Sequence, residues 1–163
     1  MPKTNNLKAA LAVLFLIVFT AAVTGCGGEK EVDQYDFTLP GLEGEEVTLS
    51  SYTGKVILIK FWTTACIYCL EDLVRLEALQ KDYPGIEIFA INIGGQREAV
   101  KSFVESAGFT FPVLLDEDGE VAGKYRVLGV PTTVLFDKEG NIVYNKPGAL
   151  PLKSMKELLE SEL

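Results

Sequence analysis

The sequence predicts an α/β domain built on one mixed sheet with helices on its faces, and three observations predict it. Val56-Ile57-Leu58-Ile59 and the stretch Ile86–Ile93 are near-continuous apolar runs, the mark of strands buried on both faces. The patterned segments run strand, helix, strand, helix, strand–strand, helix, an order that demands both parallel and antiparallel pairing. A chain of 163 residues with 48% hydrophobic content is long enough for one domain with a real core and far too apolar for disorder.

Taken in order, residues 35–39 and 46–49 read as short edge strands around the Pro40-Gly41 and Glu43-Gly44 turns, an N-terminal hairpin. Residues 50–54 form a turn. The strand at 56 continues through Phe61-Trp62 to Thr63-Thr64-Ala65, and a helix begins near Cys66. Leu70, Leu73, Val74, Leu76 and Leu79 give that helix a broad apolar face, and Pro84-Gly85 ends it. After the strand Ile86–Ile93, Gly94-Gly95 breaks the chain. Arg97–Ala107 is an amphipathic helix closed by Gly108. A strand at 111–115, a short helix at 118–125, a hairpin of residues 132–136 and 142–144 around 137–141, and a closing helix at 151–163 complete the domain, which spans residues 35–163.

Composition removes whole classes of chemistry. There is no histidine, so no Ser-His-Asp triad, no Cys-His protease pair and no histidine-ligated metal. Twenty-three acidic against 15 basic residues, net charge −8, argue against a nucleic-acid partner. Residues 1–25 hold Lys3 and Lys8 and no acid, and 9–23 is an apolar run shorter than the roughly 20 residues of a membrane span, as in a signal-peptide core. Val23-Thr24-Gly25-Cys26 resembles the lipobox of bacterial lipoproteins. That resemblance implies a diacylglyceryl thioether on Cys26, residues 26–34 as a lipidated tether, and an extracytoplasmic domain held at a bacterial membrane.

Cys66 and Cys69 remain, two residues apart. A loop this small is a poor structural staple, because stabilisation by loop closure grows with loop length; it suits a bridge that is made and broken. At the junction of a buried strand and a helix, Cys66 meets the unpaired N–H groups and partial positive charge of a helix N-terminus, which favour the nucleophilic thiolate. Cys69, one turn further and more enclosed, can attack the resulting mixed disulfide. The plainer reading, a metal half-site, lacks other Cys or His residues to complete four ligands, so no metal is expected.

The stretch from Tyr35 onward resembles the membrane-anchored thiol–disulfide oxidoreductases of the TlpA and ResA type, which have a thioredoxin fold. Four segments carry the likeness: Asp36-Phe37-Thr38-Leu39-Pro40-Gly41-Leu42 with Val47-Thr48-Leu49-Ser50; residues 55–69; Ala90-Ile91-Asn92-Ile93-Gly94 with Phe111-Pro112-Val113-Leu114-Leu115-Asp116; and Gly129-Val130-Pro131-Thr132-Thr133-Val134-Leu135-Phe136-Asp137. The resemblance implies a Cys66/Cys69 dithiol–disulfide cycle with no other cofactor, and a cis peptide bond before Pro131. It implies a client groove at Trp62, Val130 and Pro131, and a proton-modulating acid at Asp72. It further implies reduction of disulfides in exported clients, often the haem-attachment cysteines of c-type cytochromes, with electrons from a membrane thiol–disulfide transporter. A monomer is expected.

Three residues depart from that pattern: Ala65 replaces a tryptophan, Tyr68 a proline, and Lys60 stands where the wider thioredoxin family has a buried acid. The economical expectation is that the Lys60 ammonium snorkels to the strand end; the alternative is a lysine engaged in proton transfer. Glu71 and Asp72 near the thiols, with no cation between the cysteines, predict a reductant. Two rivals stand beside this reading. A peroxidase of the peroxiredoxin kind has Thr63 in place but Ile59 where its motif needs proline; a lipid-anchored binding module would keep the fold and lose turnover.

Overall fold

The computed structural model describes residues 34–163; the signal segment, Cys26 and all of the tether except Gln34 lie outside the described residues. Seven strands and four α-helices follow in order among the described residues. They are β1 (Thr38–Pro40), β2 (Glu46–Thr48), β3 (Val56–Trp62), α1 (Ile67–Asp82), β4 (Ile86–Ile93), α2 (Arg97–Ala107), β5 (Val113–Asp116), α3 (Glu120–Lys124), β6 (Thr132–Phe136), β7 (Ile142–Pro147) and α4 (Leu152–Glu162). A 3-10 turn, Leu49–Tyr52, stands where the sequence predicts a turn over residues 50–54, and it takes Leu49 out of the predicted second strand.

β1 and β2 form the expected hairpin, and the other five strands form one sheet in the order β5-β4-β3-β6-β7. β3 runs parallel to β4, and β4 to β5; β6 and β7 are antiparallel. Every residue of β3 is buried, as an apolar run in a central strand requires. Its side chains alternate between two cores. Val56, Leu58 and Trp62 point to the face covered by α1, α2 and α4; Ile57, Ile59 and Phe61 point to the face covered by α3 and the N-terminal hairpin. Lys60 therefore belongs to the α1 face.

The structure corrects several boundaries. β5 starts at Val113 because Pro112 has no N–H for a ladder. α3 is confined to five residues, its start held by the Asp116 carboxylate, which accepts from the Val121 and Ala122 N–H groups at 3.1 and 2.8 Å. β7 runs on to Pro147, tolerable in an edge strand. On α1 the buried stripe is Cys69, Asp72, Leu73, Leu76 and Leu79, whereas Leu70 and Val74 face solvent. The apolar face is narrower than the sequence suggests because an aspartate takes one of its central positions.

Candidate active site

At the carboxyl end of β3 the chain turns through Thr63-Thr64-Ala65, and the Cys66 N–H donates to the Thr63 carbonyl at 3.2 Å. Cys66 is the N-cap of α1: its backbone is extended and its Sγ accepts from the Cys69 N–H at 3.2 Å. The Cys69 N–H also reaches the Cys66 carbonyl at 3.1 Å, so it is shared between two acceptors, and its approach to the sulfur favours negative charge there. Cys66 and Cys69 form a disulfide. Cys66 is partly exposed and Cys69 is fully buried, the asymmetry expected of an attacking and a resolving sulfur.

The Val130–Pro131 bond is cis. Phe61 pairs with Thr132, so Pro131 lies beside the end of β3 where the turn to Cys66 begins. Pro131 is buried and its carbonyl accepts from the Gly148 N–H at 2.7 Å; Val130 is partly exposed. Trp62 does not line a groove. It is fully buried, its ring centroid 5.5 Å from that of Phe103, because the alternation of β3 turns it beneath α2. The apolar side chains open to solvent here are Ile67 and Tyr68, between the cysteines, and Leu128, in the loop leading to Pro131. Leu128 has no signature in sequence: a leucine in a loop reads as a core residue until the loop is placed.

Below the disulfide, Lys60 and Asp72 meet at 2.5 Å with neither side chain exposed. Lys60 does not snorkel. β3 is covered on this face, and a strand-centre lysine has no path to water, so its ammonium donates to the Thr133 hydroxyl at 2.8 Å and pairs with Asp72. Asp72 is fully buried as well. Its Oδ1 accepts from Arg75 Nη1 at 2.9 Å, and its two oxygens accept from the Leu150 N–H at 3.0 and 2.9 Å. Burial pushes Lys60 below the ordinary lysine range, against the opposing pull of Asp72. The expected negative field beneath the thiols is corrected by these contacts: two cations, Lys60 and Arg75, flank Asp72, and Glu71 is exposed and shares Arg75 at 3.7 Å. Arg75 is recognisable in sequence as an i+3 partner of Asp72; Thr133 and Leu150 come into contact only through the β3–β6 pairing and the approach to α4.

A partly exposed sulfur capping a helix, bridged to a buried one beside a cis proline on a mixed α/β sheet, defines a thioredoxin-fold thiol–disulfide oxidoreductase. The chain belongs to the AhpC/TSA family, which it matches over residues 32–145, and within it sides with the ResA-type thiol–disulfide oxidoreductases. It is 37% identical over 128 residues to the thiol–disulfide oxidoreductase ResA of Geobacillus thermodenitrificans, covering 77% of this chain and 74% of that protein. It is 33% identical to ResA of Bacillus subtilis, covering 86% and 80%. Among solved structures it resembles the exposed lipoprotein thioredoxin Etrx1 of Streptococcus pneumoniae with a TM-score of 0.69 and 28% identity, covering 77% of this chain and 98% of that one. The peroxiredoxin reading is not favoured. Ile59 sits mid-β3, paired with Phe89 on one side and Val134 on the other, where a proline would break the ladder.

Proposed function

We propose that this oxidoreductase works outside the cytoplasm, tethered through a lipid on Cys26, and reduces disulfides in exported proteins. The observation that carries the direction of attack is the unequal exposure of the two sulfurs: only Cys66 can be reached by a client. Its thiolate displaces one client sulfur, giving a mixed disulfide; the Cys69 thiolate then attacks Cys66 Sγ and releases the second client sulfur. Two electrons pass to the client, and Cys66–Cys69 is left oxidised. A membrane thiol–disulfide donor restores the dithiol, and the domain acts as a monomer. The Pro131 carbonyl is occupied by Gly148, so an extended client segment pairs with the backbone ahead of it, around Val130. The likeness to ResA supports c-type cytochrome precursors, whose haem-attachment cysteines must be reduced, as clients, and the lipobox-like Cys26 and the lipoprotein relative support the anchor.

The test is a Cys69→Ser chain expressed in its native host. Mixed disulfides to Cys66 should accumulate on membrane-bound protein, and the captured partners should be exported proteins with paired cysteines. Absence of adducts, or a reduction potential near −120 mV, that of a strong oxidant, overturns the reductant reading.

A further inference from the structure

We propose that Lys60 sets the acidity of Cys69: its buried ammonium, held by Asp72, favours the thiolate that resolves the mixed disulfide. This rests on the reductive cycle above and assigns its second step to a cation.

Asp72 follows Cys69 by three residues on the same buried stripe of α1, so their side chains are neighbours, with Cβ atoms about 5–6 Å apart. The oxygens of Asp72 accept from Lys60, Arg75 and the Leu150 amide. Its lone pairs are occupied, so it is a clasp and not a free acceptor for the Cys69 proton. What it clasps is Lys60, whose remaining partner is the Thr133 hydroxyl. The surroundings of Lys60 are defined on every side: Asp72 and Arg75 from α1, Thr133 from β6, Tyr144 from β7 (its phenol raised by burial and by Asp72), the Leu150 amide ahead of α4, and uncharged Ala90 from β4. Lys60 and Arg75 exceed the single charge of Asp72; Glu71, the other acid on Arg75 at 3.7 Å, is exposed and screened by solvent, so the buried side of the cluster is cationic. Complete burial of Cys69 works against an anion there, and a neighbouring cation in the same low-dielectric space works for it. In the resolving step Cys69 gives up its proton, its thiolate attacks Cys66 Sγ, and the departing client thiolate takes up a proton, so charge and electrons balance without another reactant. Lys60 touches neither reacting sulfur; it is a positioning residue acting through the field at Cys69.

The experiment titrates the Cys69 thiolate by ultraviolet absorbance in the full-length Cys66→Ser chain, with a Cys66→Ser/Cys69→Ser chain as blank. The midpoint should fall below the ordinary thiol value of about 8.5 despite burial. Adding Lys60→Met should raise it by at least one unit, and in the chain with both cysteines should slow client release from the Cys66 adduct about tenfold at pH 7. Lys60→Arg, which keeps the charge, should restore both. A midpoint at or above about 8.5 in the Cys66→Ser chain overturns the proposal, even if Lys60→Met does not fold. So does an unchanged midpoint in Lys60→Met, or an equal rise in Lys60→Met and Lys60→Arg. Because the titration needs no client, its outcome is separate from that of the trapping experiment.

Discussion

Glu77 grips Thr110 with both carboxylate oxygens: Oε2 accepts from the backbone N–H at 3.0 Å and Oε1 from the hydroxyl at 2.8 Å, fastening α1 to the segment that enters β5. Burial pushes this carboxyl up, but the two Thr110 donors, with Lys81 3.6 Å away, outweigh it and hold Glu77 below the usual glutamate range. A folded value below the unfolded one gives stability that is fully present above the unfolded pKa, about 4.3, and is lost as pH falls through the folded pKa. Urea midpoints measured from pH 7 down to pH 3 should therefore drop less steeply below about pH 4.3 for Glu77→Gln than for the natural chain. Parallel curves would show that the clasp is not coupled to folding.

Asp72→Ala leaves the Lys60 ammonium buried without its counter-ion and the Leu150 amide without an acceptor. Breaking a buried pair from one side costs about 3–5 kcal/mol, read as a lower guanidinium midpoint at unchanged slope. Replacing both partners, Lys60→Met with Asp72→Leu, should recover much of that loss because no buried charge is stranded, while Arg75 still reaches solvent. A single-variant cost under about 1 kcal/mol would put the pair on a par with a surface one.

Two glycines should respond with opposite signs. A Cβ on Gly95 would stand 2.2 Å from Asn92 Oδ1 and 2.6 Å from Val100 Cγ2, both on buried residues, so Gly95→Ala should cost about 1–3 kcal/mol. Gly123 lies inside α3 with nothing within 4 Å of the added atom, and Gly123→Ala should stabilise by about 0.5–1 kcal/mol. Thermal melts of the two variants side by side decide the matter; equal shifts would mean that neither local environment governs the outcome.

The buried stripe of α1 can be checked in the same way. Leu76→Ala removes a fully buried side chain and should cost about 2–5 kcal/mol. Val74→Ala, on an exposed residue two positions away, should stay within about 0.5 kcal/mol of zero. Comparable losses at both sites would place the helix in a different rotation against the sheet.

Much of this arrangement is legible in the chain alone. Periodicity marks β4 and α2 with their observed bounds and β3 with its observed start, though β3 ends at Trp62 and not in the Thr63-Thr64-Ala65 turn, and Gly108 ends α2 in the left-handed conformation its type permits. The cysteine spacing at a strand–helix junction locates the reactive pair. What periodicity misreads is the α1 face: Leu70 and Val74 look like core residues by type but face solvent, and Asp72, set beside Cys69 by the family resemblance, gives no sign of its burial. The partner that brings Asp72 inside is 12 positions earlier on a strand, and no local pattern links a lysine in β3 to an aspartate in α1. Trp62 is misplaced for a related reason. Its closeness in sequence to Cys66 suggests a shared surface, but the strand's alternation buries it under α2. Thr133 and the Leu150 amide depend wholly on the antiparallel return of the chain through β6 and β7.

The clasp at Asp72 also makes the identity of residue 60 dependent on that of residue 72. An acid at 60, as the wider thioredoxin family is read to have, would press two carboxylates together in a space that excludes water, where both cannot ionise. Placing an acid at 60 while Asp72 stays would leave one of the two carboxyls protonated, so the two positions are best changed together. For protein engineering, a chimera that takes β3 from this chain but α1 from a relative without an acid at 72 will carry a lysine with no counter-ion, and the strand and its helix must be transplanted as a pair.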